Sequence, residues 1–124
     1  NDNSGLRFVA PLGFCDYVAL QKNAICVLSD SGTITEESSI LDFPAVMIRE
    51  AHERPEGMDE GTLVMSGVDV NEILSSVELV TKQQPHGSRR FRSIPDYSPM
   101  NVSDKVVRII QSYTSYVRRT VWRE

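Results

Sequence analysis

The chain has only two cysteines, two histidines and one tryptophan in 124 residues. Cys15 and Cys26 are too few for a disulfide framework. Each sits in an apolar pattern, where a thiol is expected to act as a small core residue, and unpaired thiols suit a reducing compartment such as the cytoplasm. His52 and His86 are far apart and neither has ligand spacing to a cysteine, so no metal site is expected. Positive charge is also scarce: 13 Lys and Arg against 17 Asp and Glu leave a net charge of −4 and a pI near 5.2. That balance argues against nucleic acid and membrane surfaces as partners. No apolar run approaches the roughly 20 residues that span a bilayer. The opening Asn1-Asp-Asn-Ser-Gly5 has neither the basic nor the apolar part of a signal peptide. It also begins without Met, which suits an excised fragment or a processed product.

What is present is a periodic chain with one organising stretch, Leu28-Ser-Asp-Ser-Gly-Thr-Ile-Thr-Glu-Glu37. The apolar run Ala24–Leu28 ends in small polar residues and a glycine, and a helical pattern begins at once. This reads as strand, tight turn and helix N-terminus. The first turn of a helix has backbone N–H groups without internal partners and a partial positive charge. Gly32 leaves room for close approach, and Ser31 and Thr33 add hydroxyls, so the stretch is a candidate phosphate site. Glu37, one turn beyond Thr33 on the same face, can accept hydrogen bonds from a sugar diol. The competing reading is structural: Thr33 to Glu36 also fits a capping box, which would do no more than start a helix.

In chain order, Leu6–Ala10 reads as a strand. Gly13–Asn23 reads as a helix with Phe14, Val18 and Tyr17 at helical spacing. Ala24–Leu28 and Ala45–Ile48 read as strands buried on both faces. Thr33–Leu41 reads as a helix turning Ile34, Ser38 and Leu41 to the sheet, stopped by the turn Asp42-Phe-Pro44. Arg49–Glu56 is a charged loop. Pro55 opens a short helix, Glu56–Glu60, closed by Gly61. Thr62–Met65 is a further strand, and Asp69 or Val70 starts a helix to about Lys82 with Ile73, Leu74 and Val77 on one face. The alternation predicts an α/β fold: a parallel sheet with helices on both faces. Ligands of such sheets sit at the carboxyl ends of strands, where the Ser29–Gly32 and Arg49–Glu56 loops are expected to converge.

Composition changes at Gln83, which divides the chain into a core, 1–82, and a trailing loop and helix, 83–124. The loop carries Arg89, Arg90 and Arg92, a cluster that suits solvent or another domain more than phosphate. The last helix runs from Ser103 to about Arg119, with Val106, Ile109, Ile110, Tyr113 and Val117 as an apolar stripe, expected to be a packing face.

Two segments at matching separation carry a family resemblance: Asp30-Ser-Gly-Thr-Ile-Thr-Glu-Glu37, and Met47-Ile-Arg-Glu-Ala-His-Glu-Arg-Pro-Glu56 followed by Gly61-Thr62. Over about Phe8 to Leu79 the chain resembles the non-hydrolysing UDP-N-acetylglucosamine 2-epimerases. The segments Pro95-Asp-Tyr-Ser98 and Asn101-Val-Ser-Asp-Lys-Val-Val-Arg-Ile-Ile-Gln-Ser-Tyr113 look like the branch that makes UDP-N-acetyl-L-fucosamine for bacterial capsule and O-antigen. The resemblance implies a three-layer Rossmann-like domain, the C-terminal half of a two-domain enzyme of the glycosyltransferase-B type. It implies a UDP-sugar substrate, no metal or redox cofactor, a missing N-terminal domain that holds most of the acid/base groups, and commonly a homodimer. Carried over by position, Ser31 and Gly32 would hold the diphosphate and Glu37 the ribose. Arg54 would reach toward the nucleotide, and Tyr17 would lie near the base. The family's second glycine is Thr33 here, so either the turn needs no positive φ or Thr33 adds a hydroxyl contact. The donor half of a glycosyltransferase of the same architecture is the alternative function, and a binding module without chemistry is the third.

Overall fold

The computed structural model describes residues 5–85 and 88–123; His86 lies outside them. Three short parallel strands, β1 (Val27–Ser29), β2 (Ala45–Met47) and β3 (Val64–Met65), form one sheet in the order β1-β2-β3. Val27 pairs with Ala45, Leu28 with Val46 and Ser29 with Met47; Val46 pairs with Val64 and Met47 with Met65. Around the sheet lie α1 (Phe14–Asn23), α2 (Ile34–Leu41), α3 (Glu56–Asp59) and α4 (Val70–Gln83), followed by a 3-10 turn at Pro95–Tyr97 and α5 (Val102–Val117).

Strand periodicity divides the core. Ala45 and Met47 point to the side of α2 and α3, where they join Ile34, Phe43 and Leu63, with Val27, Leu41, Met58 and Met65 packed around them. Val46, fully buried, points the other way, and α4 packs on β2. The sheet is therefore covered on both faces, as the alternation predicts. On α4 the inward line is Ile73, Val77 and Val80; Leu74, expected there, is exposed because it lies one step around the helix. Asp69 caps α4 by accepting from the N–H groups of Asn71 and Glu72. Gly61 ends α3 at φ +72°, the left-handed position that glycine takes without strain.

Asp42 ends α2 in the left-handed region at φ 59°, and its carboxylate accepts from Gln84 Nε2 at 2.9 Å. Arg89 lies on the same helix end, donating to the carbonyls of Ser39 and Ile40 and pairing with Asp42 at 3.5 Å. Arg92 pairs with Glu60. These two arginines of the basic loop thus bind their own domain, where carboxylates and the carbonyl-rich C-terminus of α2 attract them. Both side chains stay in solvent over much of their surface, 42% and 70% exposed, as the sequence led one to expect, while they tie the loop to its own domain.

Four further expectations fail, and three share one cause. Leu6–Ala10 forms no strand; Phe8 is 96% exposed, and no strand in the described residues pairs with it. β1 is not buried on both faces, because it is an edge strand with Leu28 half-exposed. The stripe of α5 packs on nothing: the helix has no buried residue. In each case the apolar pattern is real, but no element of the described chain meets it. Finally, Cys15 is exposed, at the start of a helix whose apolar side is open, whereas Cys26 is half-buried and burial pushes its thiol pKa up to about 11. No helix among the described residues is long and apolar enough to cross a membrane.

Candidate functional site

The turn after β1 lies at the carboxyl edge of the sheet, beside the loop that leaves β2. Ile34 drives this geometry: it is fully buried against Phe43 and Met47, so α2 must start directly beneath Gly32. Among the described residues no acceptor takes the N–H of Gly32 or Thr33. The N–H of Ser31 donates to Ser29 Oγ at 3.1 Å, and the hydroxyls of Ser31 and Thr33 share a hydrogen bond at 2.9 Å. Two free amides and two exposed hydroxyls therefore line the N-terminus of α2.

The capping-box alternative is not realised. Thr33 stands at the N-cap without a side-chain cap bond, and the Glu36 carboxylate accepts instead from Arg54 Nε at 2.6 Å. Thr33 has φ −65°, so the turn needs no positive φ and tolerates a β-branched residue. This answers the question raised by the departure from the family pattern.

Gly32 is required for a different reason. A Cβ built on it would collide with Arg54 Nη1 and lie 3.8 Å from Arg49 Nη1. Two guanidinium groups thus crowd onto the positive end of a helix. Arg49 is half-buried and has no carboxylate partner among the described residues. Cations at a helix N-terminus are unfavourable unless an anion joins them; Glu36 supplies one for Arg54, whereas Arg49 has none, which favours a negative ligand at this edge. Arg49 is the residue at this turn that sequence reasoning passed over. Its signal was available: it leads the loop at the carboxyl end of β2, next to β1.

Glu37 faces the other side of α2. Its Oε2 accepts from Gln21 Nε2 at 2.5 Å, and Gln21 is the one buried residue of α1. Tyr17, one turn earlier on α1, is close to the same carboxylate: its pKa is raised first by burial and then by the charge of Glu37. Tyr17 and Glu37 are therefore brought together, with the carboxylate half-buried rather than open. Ser31, Gly32, Thr33 and Arg54 form a second group at the head of the same helix.

Behind Arg54, the Tyr97 hydroxyl donates to Glu56 Oε1 at 2.5 Å. That hydrogen bond, ahead of the nearby charges of Arg54 and His52, holds the Glu56 carboxyl below the usual carboxylate range. The Tyr97 phenol is pushed well above its usual range by burial and then by its bond to Glu56. The open space at this edge comprises two shallow clefts of about 650 and 620 Å³, one lined by Arg49, Ser66 and Asp69, the other by Asp30, Arg49 and Glu50.

The family model described as UDP-N-acetylglucosamine 2-epimerase matches residues 1–111. The UDP-N-acetylglucosamine 2-epimerase of Methanococcus maripaludis is 36% identical over 90 residues, 73% of this chain and 25% of that protein. A solved UDP-N-acetylglucosamine 2-epimerase from Rickettsia bellii superposes with a TM-score of 0.85 at 53% identity, over 95% of this chain and 32% of that one. The Methanocaldococcus jannaschii enzyme in complex with UDP-GlcNAc and UDP superposes with a TM-score of 0.74 at 26% identity, over 90% of this chain and 29% of that one. The chain thus spans a quarter to a third of the length of these relatives, and over that span it belongs to the UDP-N-acetylglucosamine 2-epimerase family.

Proposed function

We propose that this chain is the UDP-binding C-terminal domain of a cytoplasmic UDP-N-acetylhexosamine 2-epimerase, with residues 1–82 as the binding core. One observation carries the reading: Arg49 and Arg54 converge on Gly32 at the head of α2, beside two free amides. Ser31, Gly32 and Thr33 hold the diphosphate. Glu37 accepts from the ribose hydroxyls, and Tyr17, beside it, lies near the base. Epimerisation at C2 by elimination and re-addition of UDP breaks the bond from the sugar C1 to the β-phosphate oxygen. Negative charge builds on that oxygen as the bond breaks, and preorganised cations and amides stabilise it most at that point. The chain's part in the reaction is therefore to hold the leaving group and return it. The acid and base that move the C2 proton come from the N-terminal domain. The Glu53-Arg54-Pro55-Glu56 loop and the family match favour this reading over a glycosyltransferase donor domain.

The finer assignment, to the UDP-N-acetyl-L-fucosamine branch, rests on the resemblance of the Pro95-Asp-Tyr-Ser98 and Asn101–Tyr113 segments; Tyr97 ties the first of these to the Glu56 end of the site loop. Residues 83–124 follow the core, and the bare stripe of α5 suits a surface of the absent domain, with a homodimer as the assembled form.

Calorimetric titration with UDP, against UMP and ADP, tests the core of the reading. Selective UDP binding is expected from the chain and from the full-length enzyme. Failure of both to bind at millimolar UDP overturns it. Turnover of UDP-2-acetamido-2,6-dideoxy-L-talose against UDP-N-acetylglucosamine by the full-length enzyme decides the branch.

A further inference from the structure

An arginine that must meet a ligand loses rotamer freedom on binding, unless the protein already holds it. Arg54 is already held. Its Nε donates to Glu36 Oε1 at 2.6 Å, and its Nη1 lies against Gly32. Glu36 sits on α2, the helix whose N-terminus forms the site, so the arginine is fixed to the same rigid element as the free amides. A second carboxylate, Glu56, feels the charge of Arg54 but makes no ion pair with it; its Oε1 accepts instead from the Tyr97 hydroxyl. Of two flanking carboxylates, one takes the Nε edge of the guanidinium and the other is tied away.

Resting on the reading of this turn as the UDP site, we propose that Glu36 is a positioning residue that presents Arg54 to the diphosphate, with Tyr97 keeping Glu56 from competing for it. Glu36 does not itself touch the ligand. Its charge works against the site, since a carboxylate beside a diphosphate repels it. Its benefit is geometric: it fixes one edge of a planar, five-donor group so that the remaining donors face the ligand. Reach and charge therefore have opposite effects, and substitution can separate them.

The test is the Kd for UDP of the full-length enzyme and its variants. Glu36→Gln keeps a carbonyl within reach of Arg54 Nε and removes the charge, so its Kd stays within about threefold of wild type or tightens. Glu36→Asp keeps the charge and withdraws it by one carbon, so binding weakens by about tenfold, the loss of one oriented charge-assisted contact. Placed on an Arg54→Ala background, Glu36→Asp causes no further loss, because the two residues act as one unit. Tyr97→Phe frees Glu56 and weakens binding in the same direction. Wild-type affinity in Glu36→Asp, or losses that simply add in the double variant, overturns the positioning role. If the wild-type enzyme binds no UDP, the site reading itself has failed. The wild-type titration, read first, keeps the two failures distinct.

Discussion

Two stretches of this chain are amphipathic, and they end in opposite situations. From Ile34 to Leu63 the chain supplies Ile34, Phe43, Ala45, Val46, Met47 and Leu63, each no more than 3% exposed. From Val102 to Val117 a helix with an equally regular stripe buries nothing: Ile109 and Ile110 are 57% and 60% exposed. Periodicity states which face of an element is apolar. Whether that face is covered depends on what the topology brings to it. In the first stretch, short crossovers return the chain to an adjacent parallel strand, so each apolar face meets its neighbour within about 20 residues, as such connections require. In the second, no crossover returns, and helix α5 stands clear of the core.

The largest break in this comparison is at Phe43. It sits at the centre of the covered stretch, between the end of α2 and the start of β2, against Ile34, Ala45, Met47 and Leu63. Phe43→Ala leaves a cavity that the sheet cannot close. It is expected to lower the unfolding free energy by about 3–5 kcal/mol, read by urea denaturation. A loss under 1 kcal/mol would mean that this cluster is not the core.

A second substitution separates site from core within the same stretch. Glu37 is on α2 like Ile34, but its side chain faces Gln21 and Tyr17 rather than the sheet. Glu37→Ala is expected to cost about 1.5–3 kcal/mol in UDP binding, roughly 10- to 150-fold in Kd, through the loss of a charged acceptor. Removing Glu37 also leaves the buried Gln21 amide without its partner, a loss of about 1–3 kcal/mol, so the melting temperature should fall by about 4–12 °C. A variant that melts far earlier yet binds UDP unchanged would make Glu37 a structural residue.

The contrast also accounts for what the sequence made legible. The β1–α2–β2 unit and the placement of Ser31, Gly32 and Arg54 at one edge follow from local signals: an apolar run, a serine-glycine turn, a helix period and a proline-stopped loop. Those signals act over a few residues and survive without the rest of a protein. The reason for Gly32 was not legible, because it lies in Arg54, 22 positions on, whose guanidinium fills the place of a Cβ. Arg49 and Glu36 were passed over for the same reason. In sequence one is a loop charge and the other a capping-box glutamate, and only the fold puts one beside the helix N-terminus and the other on Arg54 Nε. The Leu6–Ala10 strand was misread for the opposite reason. Its pattern is right for a strand, but a strand forms only against a neighbour, and none of the described strands is beside it.

The smallest expected effect is at Ile110. It lies mid-stripe on α5, and the helix contacts little besides the π-helical turn that continues it, Arg118–Trp122. In this chain Ile110→Ala should change the unfolding free energy by less than about 0.5 kcal/mol, as at an ordinary surface position. A 16-residue helix that buries no residue is itself marginal in water, so its amides should exchange with solvent early. In the full-length enzyme the same substitution is expected to cost about 2–5 kcal/mol, the price of emptying a buried site, if the stripe is seated on the N-terminal domain. The two measurements bracket the comparison from its weaker side. A large loss already in this chain would mean that α5 folds back on the core. A negligible loss in both would leave the stripe without a partner in either and remove the helix from any role in joining the domains.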